Sequence, residues 1–432
     1  MRHLLQSILY QLAKWVLRRQ HPQVIAVTGS MGKTSTKDAI YTVLRHKYTV
    51  RRTLENYNNE IGLPLTIIGS HSGGRNPFAW AWIVVKGLAY SVLPLTYPKI
   101  LVLEMGADKP GDIKYLTGLA PAHIAMVTMI SELPAHLEFF KDVDQVAQEK
   151  LIVLKHLGKE DMAIANLDEP YVAAIHDKLK SKVFTISTKQ EADLMAFDID
   201  YAKDPTKVAY DPTVSGLRFK IRYQGSTVPV FIPGAVGVPT VYSAIFALAC
   251  GLQLGMNLVD MITALQSYQG PNGRLRLLPG KNQTVIIDDT YNSSPAAAKE
   301  ALQILHEMKT PGKRIAVLGV MAELGSFAKR SHAAIGRQIA QLEIDTLVTI
   351  GVEGEWIAEA AKENGFPEAG LVQYADTATA VANVPTLLQP NDIMLVKGSQ
   401  VARLETVVKA CLAQPELAEQ LLVRQYGKWQ KV

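Results

Sequence analysis

Residues 24–35 read VIAVTGSMGKTS, and this stretch decides how the first half of the chain is built. An apolar run typical of a strand ends in a loop with two glycines, and a Lys-Thr pair then opens a helical pattern. Glycines let a backbone fold tightly around phosphate oxygens, so that N–H groups and the N-terminus of the next helix point at the anion. The order of strand, loop, Lys-Thr and helix therefore predicts a phosphate-binding loop.

Eight consecutive residues make up this predicted ATP-binding loop: Thr28, Gly29, Ser30, Met31, Gly32, Lys33, Thr34 and Ser35. Lys33 supplies a mobile positive charge for the phosphates, and Thr34 supplies the hydroxyl expected on Mg²⁺. The spacing departs from G-x-x-x-x-G-K-[ST] because Val27 stands where the first glycine would be. The alternative is a glycine-rich turn that merely joins a strand to a helix.

The composition is that of a globular protein with more than one domain. Of 432 residues, 48% are hydrophobic and 20% charged, and roughly 150 residues per domain gives two or three domains. The net charge of +5 is modest for this length, so we expect anionic small substrates and no nucleic-acid partner. Cys250 and Cys411 lie far apart in apolar helical patterns, which argues against a disulfide and favours the cytoplasm.

Strands and helices alternate in two long series, which predicts an α/β fold. In the first series, strands such as ILVLEMG from Ile100 indicate a parallel sheet wrapped by helices in a P-loop ATPase domain. Period-two segments between about Ala192 and Pro233 add a small antiparallel portion. The turn PNGR at residues 271–274 marks a hinge, and the second series after it predicts a Rossmann-like domain.

Two apolar segments stand apart from this alternation. Residues 1–21 predict a basic amphipathic helix without a signal-peptide cleavage site. Residues 78–95 approach the length of a membrane span but carry Lys86, so we expect a buried or partly exposed helix. A peripheral membrane contact by either segment is the alternative. The predicted division of the chain is an N-terminal helix (1–21), a central ATP-binding domain (22–272) and a C-terminal domain (273–432).

The phosphate loop resembles the TGxxGKT[ST] loop of the Mur ligase family, whose members build the peptide of peptidoglycan by ATP-driven amide formation. Further segments carry the resemblance: TLENYNNEIGLPLTII (53–68), LEMGADKPGDI (103–113), AHLEFF (135–140), IDDTYNSSP (287–295), VLGVMAELG (317–325) and VKGS (396–399). They are most similar to the branch that adds D-alanyl-D-alanine to UDP-N-acetylmuramoyl-tripeptide. The resemblance implies ATP and Mg²⁺ as cofactors, and we expect the enzyme to act as a monomer.

Glu104, His136 and Lys150 are the predicted residues of the reaction centre. Glu104 ends an apolar strand, where α/β sheets place functional side chains, although such a glutamate is often a solvated loop residue. A lone histidine such as His136 is more often structural. By resemblance, both match the holders of a second Mg²⁺, and Lys150 matches a lysine carried as a carbamate. The alternative for Lys150 is an exposed helix lysine, because carbamylation needs a lowered pKa.

The remaining predicted residues are assigned to substrates and to the second domain. Asn58 and Asn59 either cap a helix or face the phosphates or acyl substrate. The resemblance implies that Arg274, Asp289 and Asn292 contact ATP, although the two adjacent aspartates could instead bind a metal or cap a helix. Five residues are expected near the substrates by the same resemblance: Tyr291, Glu323, His332, Lys397 and Ser399.

The pattern departs from the family in three places. Relatives begin with a domain that grips the uridine nucleotide, whereas this loop starts 28 residues from Met1. We therefore expect the sugar nucleotide to be held by the remaining domains or a partner, or the acyl peptide to be lipid-linked. Pro239, Thr240 and Ser243 replace the usual adenine-side residues, and Val320 and Gln400 replace others near the expected dipeptide. The alternatives are a poly-γ-glutamate type ligase and a nucleotide-binding scaffold for wall synthesis.

Overall fold

The computed structural model describes residues 2–54, 57–130, 139–202, 215–425 and 429, except for the side chains of residues 2, 3 and 202. The chain divides into two compact units. The first comprises Met1–Asp198, Phe219–Val230 and Pro239–Tyr268, and the second comprises Ile199–Arg218, Phe231–Val238 and Gln269–Val432.

A nine-stranded sheet organises the first part of the chain. Its strands are β1 (Gln23–Thr28), β2 (Val50–Arg52), β3 (Ile100–Glu104), β4 (Ile124–Val127), β5 (Met162–Asn166), β6 (Lys182–Ser187), β7 (Leu194–Ala202), β8 (Gly216–Tyr223) and β9 (Ser226–Pro233). The helices are α1 (Arg2–Gln20), α2 (Lys33–Leu44), α3 (Gly62–Ile68), α4 (Pro77–Val92), α5 (Asp112–Leu119), α6 (Val143–Lys155), α7 (Pro170–Ala173), α8 (Val238–Gln253) and α9 (Leu258–Leu265).

The strand order β2-β3-β1-β4-β5-β6-β7-β8-β9 puts β1 between β3 and β4. These strands run parallel, with Val27 opposite Glu104 and Thr28 opposite Val127. From β1 the chain goes to β2 and β3 on one side and then crosses to β4 on the other side. Ligands of open α/β sheets bind at such a switch point, outside the carboxyl ends of the strands. The fold thus brings the phosphate loop and the end of β3 to one edge.

The expected antiparallel portion is β8 and β9, joined by Gln224 and Gly225. Both joining residues have positive φ, 46° and 78°, as the two-residue turns of right-twisted hairpins require. The burial of β8 alternates along Leu217, Phe219 and Ile221, so one face packs inward. The period-two pattern in the sequence was therefore a correct guide to this hairpin.

The second unit is built on a six-stranded sheet of order β10-β11-β15-β12-β13-β14, parallel except for the β10–β11 pair. Its strands are β10 (Arg276–Pro279), β11 (Val285–Asp289), β12 (Arg314–Leu318), β13 (Thr346–Ile350), β14 (Leu371–Tyr374) and β15 (Ile393–Lys397). Its helices are α10 (Pro295–Glu307), α11 (Ala328–Ile339), α12 (Val352–Glu363), α13 (Thr377–Leu387), α14 (Glu405–Cys411) and α15 (Ala418–Leu421). Asp289 and Lys397 are register partners at the ends of β11 and β15. The predicted α/β fold of two sheets is confirmed.

The two apolar segments outside the alternation are helices α1 and α4, which pack on each other and on α3. On α1, Leu9, Leu12, Ala13 and Val16 are buried, so this helix is part of the first unit rather than an appendage. No helix within the described ranges is long and apolar enough to cross a membrane. Both cysteines are free and buried within helices.

Candidate active site

The phosphate loop between β1 and α2 takes a conformation that requires glycine at two positions. Gly29 has φ 150°, and a Cβ there would lie 2.0 Å from Thr128 Oγ1. Gly32 caps the N-terminus of α2 with φ 79°. A side chain at the first position would strike the end of β4, and one at the second would strain the backbone. The glycine-rich sequence therefore serves the loop shape as well as the approach of an anion.

The loop is held against the end of β4. The N–H groups of Ser30 and Met31 both donate to Met129 O, at 2.7 and 3.3 Å. These two amides are therefore hydrogen-bonded within the fold. The first turn of an α-helix leaves N–H groups that the helix cannot pair, so the start of α2 supplies the donors for phosphate.

Three predicted loop residues differ in what their side chains do. Lys33 Nζ reaches back over the loop and donates to Gly29 O at 2.9 Å, so its charge lies where phosphates are expected. Ser30 Oγ is buried and has no hydrogen-bond partner in the described part of the chain, which leaves it able to bond a ligand. Thr28 is fully buried, and its hydroxyl donates to Met105 O at 2.8 Å. Its side chain joins the end of β1 to the residue that follows β3.

Glu104 lies directly beside the loop. It is 3% exposed, and its Oε2 accepts a 3.0 Å hydrogen bond from Thr34 Oγ1. Its Oε1 accepts a hydrogen bond of 3.2 Å from Asn58 Nδ2. A hydroxyl and a carboxylate oxygen are ligands that Mg²⁺ prefers, so this donor set fits the expected ion. The solvated-loop alternative for Glu104 is wrong, since the side chain is buried.

The third predicted metal residue, His136, lies outside the described residues. Within the described ranges, no group of three or more His, Cys, Asp or Glu side chains is gathered to hold a metal. The described part of the site therefore offers the Thr34 hydroxyl and the Glu104 carboxylate.

Lys150 is buried on α6 at 4% exposure, so the exposed-lysine alternative is wrong. Its pKa is lowered to about 7, mainly by burial and then by the nearby positive charge of Lys33, while the charges of Asp108 and Glu149 oppose the shift. A large fraction of the amine is thus neutral at physiological pH. The neutral amine is the form that reacts with CO₂, so the chemical condition for a carbamate is met.

The two asparagines of the NNEIG turn have separate roles. Asn58 contacts Glu104, as described above, and its backbone oxygen accepts from Gly106 N at 2.8 Å. Asn59 Oδ1 accepts hydrogen bonds from the N–H groups of Ile61 and Gly62, at 3.2 and 2.9 Å. Asn58 therefore belongs to the site, whereas Asn59 caps the start of α3.

Lys37 is a site residue that the sequence interpretation missed. Its side chain is 2% exposed, and Nζ lies 3.5 Å from both Glu104 Oε2 and Asp38 Oδ1. Arg52 also pairs with Asp38, at 3.2 Å. Burial raises the pKa of Asp38, although both cations oppose this. A signal existed, because Lys37 falls on the same helical face as buried Ile40 and Leu44, where an unpaired lysine would be costly.

A second polar cluster lies within the second unit, at the ends of β11 and β15. Lys397 is 2% exposed, and Nζ donates to Asp289 Oδ2 at 2.5 Å and to Asn292 O at 3.1 Å. The guanidinium of Arg274 lies 4.2 Å from the ring centre of Tyr291. Five predicted residues are therefore neighbours here. The helix that follows, α10, is capped by Ser294 and not by Asp289.

Two carboxyl groups beside this cluster have raised pKa values. Burial raises the pKa of Asp288 to about 6, and its Oδ1 accepts from the N–H and hydroxyl of Thr290, at 3.3 and 2.6 Å. It therefore shapes the turn after β11. Burial, then the charge of Asp289, raises the pKa of Glu300 to about 7, while Lys397 opposes the rise. Glu300 was missed, because it lies on α10 outside any motif.

The other predicted substrate residues of the second unit lie around the loop after β12. Ser399 Oγ accepts from Ala322 N at 2.8 Å and is 2% exposed. His332 is fully buried, accepts from Met321 N at 2.9 Å and bonds Ala328 O through Nδ1 at 2.8 Å. Both ring nitrogens are thus used inside the fold, so His332 supports the loop and offers no atom to a substrate. Glu323 is exposed on this loop with φ 64°, a conformation that costs energy for a glutamate.

Both clusters lie within segments that match domains of known proteins. Residues 27–73 and 88–238 match the Mur ligase middle domain, and residues 273–400 match the Mur ligase glutamate ligase domain. The UDP-N-acetylmuramoyl-tripeptide–D-alanyl-D-alanine ligase of Bacillus subtilis is 30% identical over 409 residues, which span 95% of this chain and 80% of that protein. The chain belongs to the Mur ligase family.

Solved structures of the family have the same fold. A MurF crystal structure from Acinetobacter baumannii superposes with a TM-score of 0.75 at 25% identity, covering 95% of this chain and 80% of that one. The MurF ligase of Thermotoga maritima in complex with ADP gives a TM-score of 0.74 at 25% identity, covering 96% of this chain and 84% of that one.

Three of the residues that depart from the family pattern are described in this Mur ligase. Ser243 on α8 is fully buried, donates to Pro239 O at 3.0 Å and accepts from Thr36 Oγ1 at 3.4 Å. It therefore connects α8 to the helix that follows the phosphate loop. Of the other replaced positions, Gln400 is exposed just beyond Ser399, and Val320 O accepts from Ser399 N at 2.8 Å.

Proposed function

We propose that this Mur ligase uses ATP to join the carboxylate of UDP-N-acetylmuramoyl-tripeptide to the amine of D-alanyl-D-alanine, in the cytoplasm and as a single chain. The named relatives support the substrates, because the Bacillus subtilis ligase is similar over 95% of this chain. The contact between Thr34 and Glu104 is the observation that carries the proposal. It places a carboxylate and a hydroxyl at the edge of the phosphate loop, where a nucleotide's terminal phosphate would react.

The first step would be phosphorylation of the acyl substrate. A carboxylate oxygen attacks the γ-phosphorus, the bond to ADP breaks, and an acyl phosphate forms. Negative charge gathers on several oxygens in this step, and Lys33 and the N–H groups at the start of α2 would offset it. When bound, Mg²⁺ would further neutralise this charge, and Thr34 and Glu104 are the described residues that would hold it.

In the second step the neutral amine attacks the acyl carbon. The C–N bond forms, the C–O bond breaks, and inorganic phosphate leaves with its electron pair while the amine loses a proton. We propose that Lys150 serves the site as a carbamate, formed when its neutral amine adds CO₂ and releases a proton. The product is an anion, so a carbamate at Lys150 would replace the repulsion between two ammonium groups, Lys150 and Lys33, by an attraction. The low pKa of Lys150 supports this proposal.

We also propose the division at 272/273 as the border between the ATP-binding domain and the domain that binds the amine. The Asp289–Lys397 pair and the Arg274–Tyr291 stack make the ends of β11 and β15 the polar edge of that second domain. Ligands of open α/β sheets bind at such edges.

Isotope transfer tests this chemistry. Tripeptide substrate with ¹⁸O in its terminal carboxylate is incubated with ATP, Mg²⁺ and D-alanyl-D-alanine, and the released phosphate is analysed by mass spectrometry. An acyl phosphate transfers one ¹⁸O to phosphate for each amide formed. Release of unlabelled phosphate alone would show plain ATP hydrolysis. Tight nucleotide binding without turnover would identify a scaffold, and either result would overturn the proposal.

A further inference from the structure

Helix α4 carries an apolar stripe that faces solvent. Phe78, Trp82, Val85 and Val92 recur at helical spacing and are 83%, 66%, 53% and 68% exposed. The opposite face is packed, since a Cβ on Gly87 would lie 3.4 Å from Leu12 Cδ1 of α1. A protein surface in contact with water rarely exposes two large aromatic side chains in one continuous apolar stripe. We therefore expect this stripe to bind another surface.

The charged residue inside α4 is turned away from the stripe. Lys86 Nζ donates to Gly69 O, at the end of α3, and its side chain is half-buried. The exposed stripe is therefore uncharged along the length of the helix.

Helix α1 adds a second exposed stripe. Leu4, Ile8 and Trp15 are 66%, 39% and 46% exposed, while the other side of the helix packs into the unit. The C-terminal ends of the two helices are joined, because Gln20 Nε2 donates to Tyr90 O at 2.7 Å and to Leu93 O at 3.2 Å. We call the exposed residues of both helices the α1–α4 surface: Leu4, Ile8, Trp15, Phe78, Trp82, Val85, Leu88 and Val92.

The charged residues within the two segments that carry the α1–α4 surface are basic. Residues 1–37 and 61–99 contain no aspartate or glutamate. Arg18 and Arg19 are exposed at the end of α1, and Arg75 is exposed just before α4. Glu60, which lies outside these segments, accepts a hydrogen bond of 2.9 Å from half-buried Gln6 of α1. Apolar and aromatic side chains framed by arginines are complementary to anionic headgroups above an acyl layer.

We propose that the α1–α4 surface docks on a membrane containing anionic lipids. Tryptophan and phenylalanine would enter the boundary between headgroups and acyl chains, and the arginines would face the phosphates. Helix α4 has 16 residues, short of the roughly 20 that a span needs, so the helices would lie in the plane of the membrane. The cationic framing favours an anionic lipid surface over a second copy of this chain, which would bring the same positive charges to the contact.

Vesicle sedimentation of the full chain tests the proposal. We expect the protein to bind phosphatidylcholine vesicles containing phosphatidylglycerol, and to bind pure phosphatidylcholine vesicles at least about tenfold more weakly, given about fivefold for each cation near the surface. Phe78→Ser/Trp82→Ser should lose binding to both. The matched control is Phe327→Ser/Val401→Ser, which alters side chains 49% and 70% exposed in the second unit and should bind as the wild type does.

A second variant, Arg18→Glu/Arg75→Glu, tests the role of the arginines. It should bind anionic vesicles at least about tenfold more weakly than the wild type. Its control is Lys329→Glu/Arg330→Glu, the same charge change at exposed positions of α11. Thermal unfolding of each variant establishes that it is folded. Absence of vesicle binding by the wild type, or equal binding by Phe78→Ser/Trp82→Ser, would overturn the proposal. Self-association that this variant abolishes, without vesicle binding, would assign the surface to a second copy and also overturn it.

Discussion

The hydroxyl of Thr34 donates a 3.0 Å hydrogen bond to Glu104 Oε2 across 70 residues of chain. The contact follows from the parallel pairing of β1 and β3, which puts Val27 opposite Glu104 and the phosphate loop one residue beyond. A phosphate-binding loop and a carboxylate are thereby fixed on rigid strand ends. Such precise placement is what phosphoryl transfer requires of the protein, because positioning and charge supply most of the catalysis.

Replacing Lys33 with alanine should abolish ATP turnover and leave the fold intact. Lys33 Nζ donates to the loop carbonyls of Gly29 and Ser30, so its loss removes a cation from the phosphates without opening a core. We expect turnover to fall by a factor on the order of 100 or more. Phosphate release and thermal unfolding measure the two effects, with Lys114→Ala, an exposed lysine on α5, as control. Wild-type turnover would remove Lys33 from the mechanism.

Lys150→Ala should lower amide formation on the order of 100-fold. If the lysine acts as a carbamate, added chloride or formate should partly restore activity by replacing its anionic group. Wild-type activity should also fall as the pH drops below about 7, because the protonated amine cannot add CO₂. Lys155→Ala, an exposed lysine on the same helix, is the control. Full activity of Lys150→Ala without added anions would exclude the carbamate.

The Lys37–Glu104 pair should contribute to stability as a buried pair does. Lys37→Met leaves the 3%-exposed Glu104 without this partner, and we expect the free energy of unfolding to fall by about 3 kcal/mol. Glu104→Gln should lower the free energy of unfolding less in the Lys37→Met variant than in the wild type, by about 1 kcal/mol or more. Denaturant unfolding of the wild type, the two single variants and the double variant measures this double-mutant cycle. The exposed pair Lys182–Glu160 is the control, where each change should stay below about 1 kcal/mol. Strict additivity at the buried pair would contradict the coupling.

Glu300 should make stability depend on pH. Its pKa is about 7 in the fold against 4.5 ordinarily, so the folded state binds more protons between these values. The free energy of unfolding therefore falls as the pH rises from 4.5 to 7 on account of this group. Glu300→Gln should reduce this decrease in the free energy of unfolding. Glu359→Gln, a change at an exposed glutamate on α12, should leave it as in the wild type. Parallel pH profiles for Glu300→Gln and the wild type would disprove the assignment.

Local pattern was sufficient for the sheets and the phosphate loop. Strand runs, glycines and the Lys-Thr pair each act over a few residues, so β1, its loop and α2 could be predicted from residues 24–35. The hairpin of β8 and β9 was predictable for the same reason, because alternation marks a half-buried strand.

Contacts between distant segments were harder to predict. Asn58 and Asn59 are neighbours of one type, yet one reaches Glu104 and the other caps α3, and only their backbone orientation separates them. His332 belongs to a motif that resembles the family, but its side chain is fully buried against the loop that it supports. Lys37 and Glu300 belong to the polar clusters through partners far along the chain, 67 and 97 residues away at Glu104 and Lys397. Sequence spacing does not encode such partners.

Direct detection of the ligated product tests the central claim most closely. UDP-N-acetylmuramoyl-tripeptide, D-alanyl-D-alanine, ATP and Mg²⁺ are incubated with the wild type and with Lys33→Ala, and products are identified by mass spectrometry alongside released phosphate. We predict the pentapeptide and one phosphate per amide with the wild type, dependent on both substrates, and neither with Lys33→Ala. Phosphate release that depends on neither the tripeptide nor the dipeptide substrate would contradict the account. Equal product formation by Lys33→Ala and the wild type would contradict it as well.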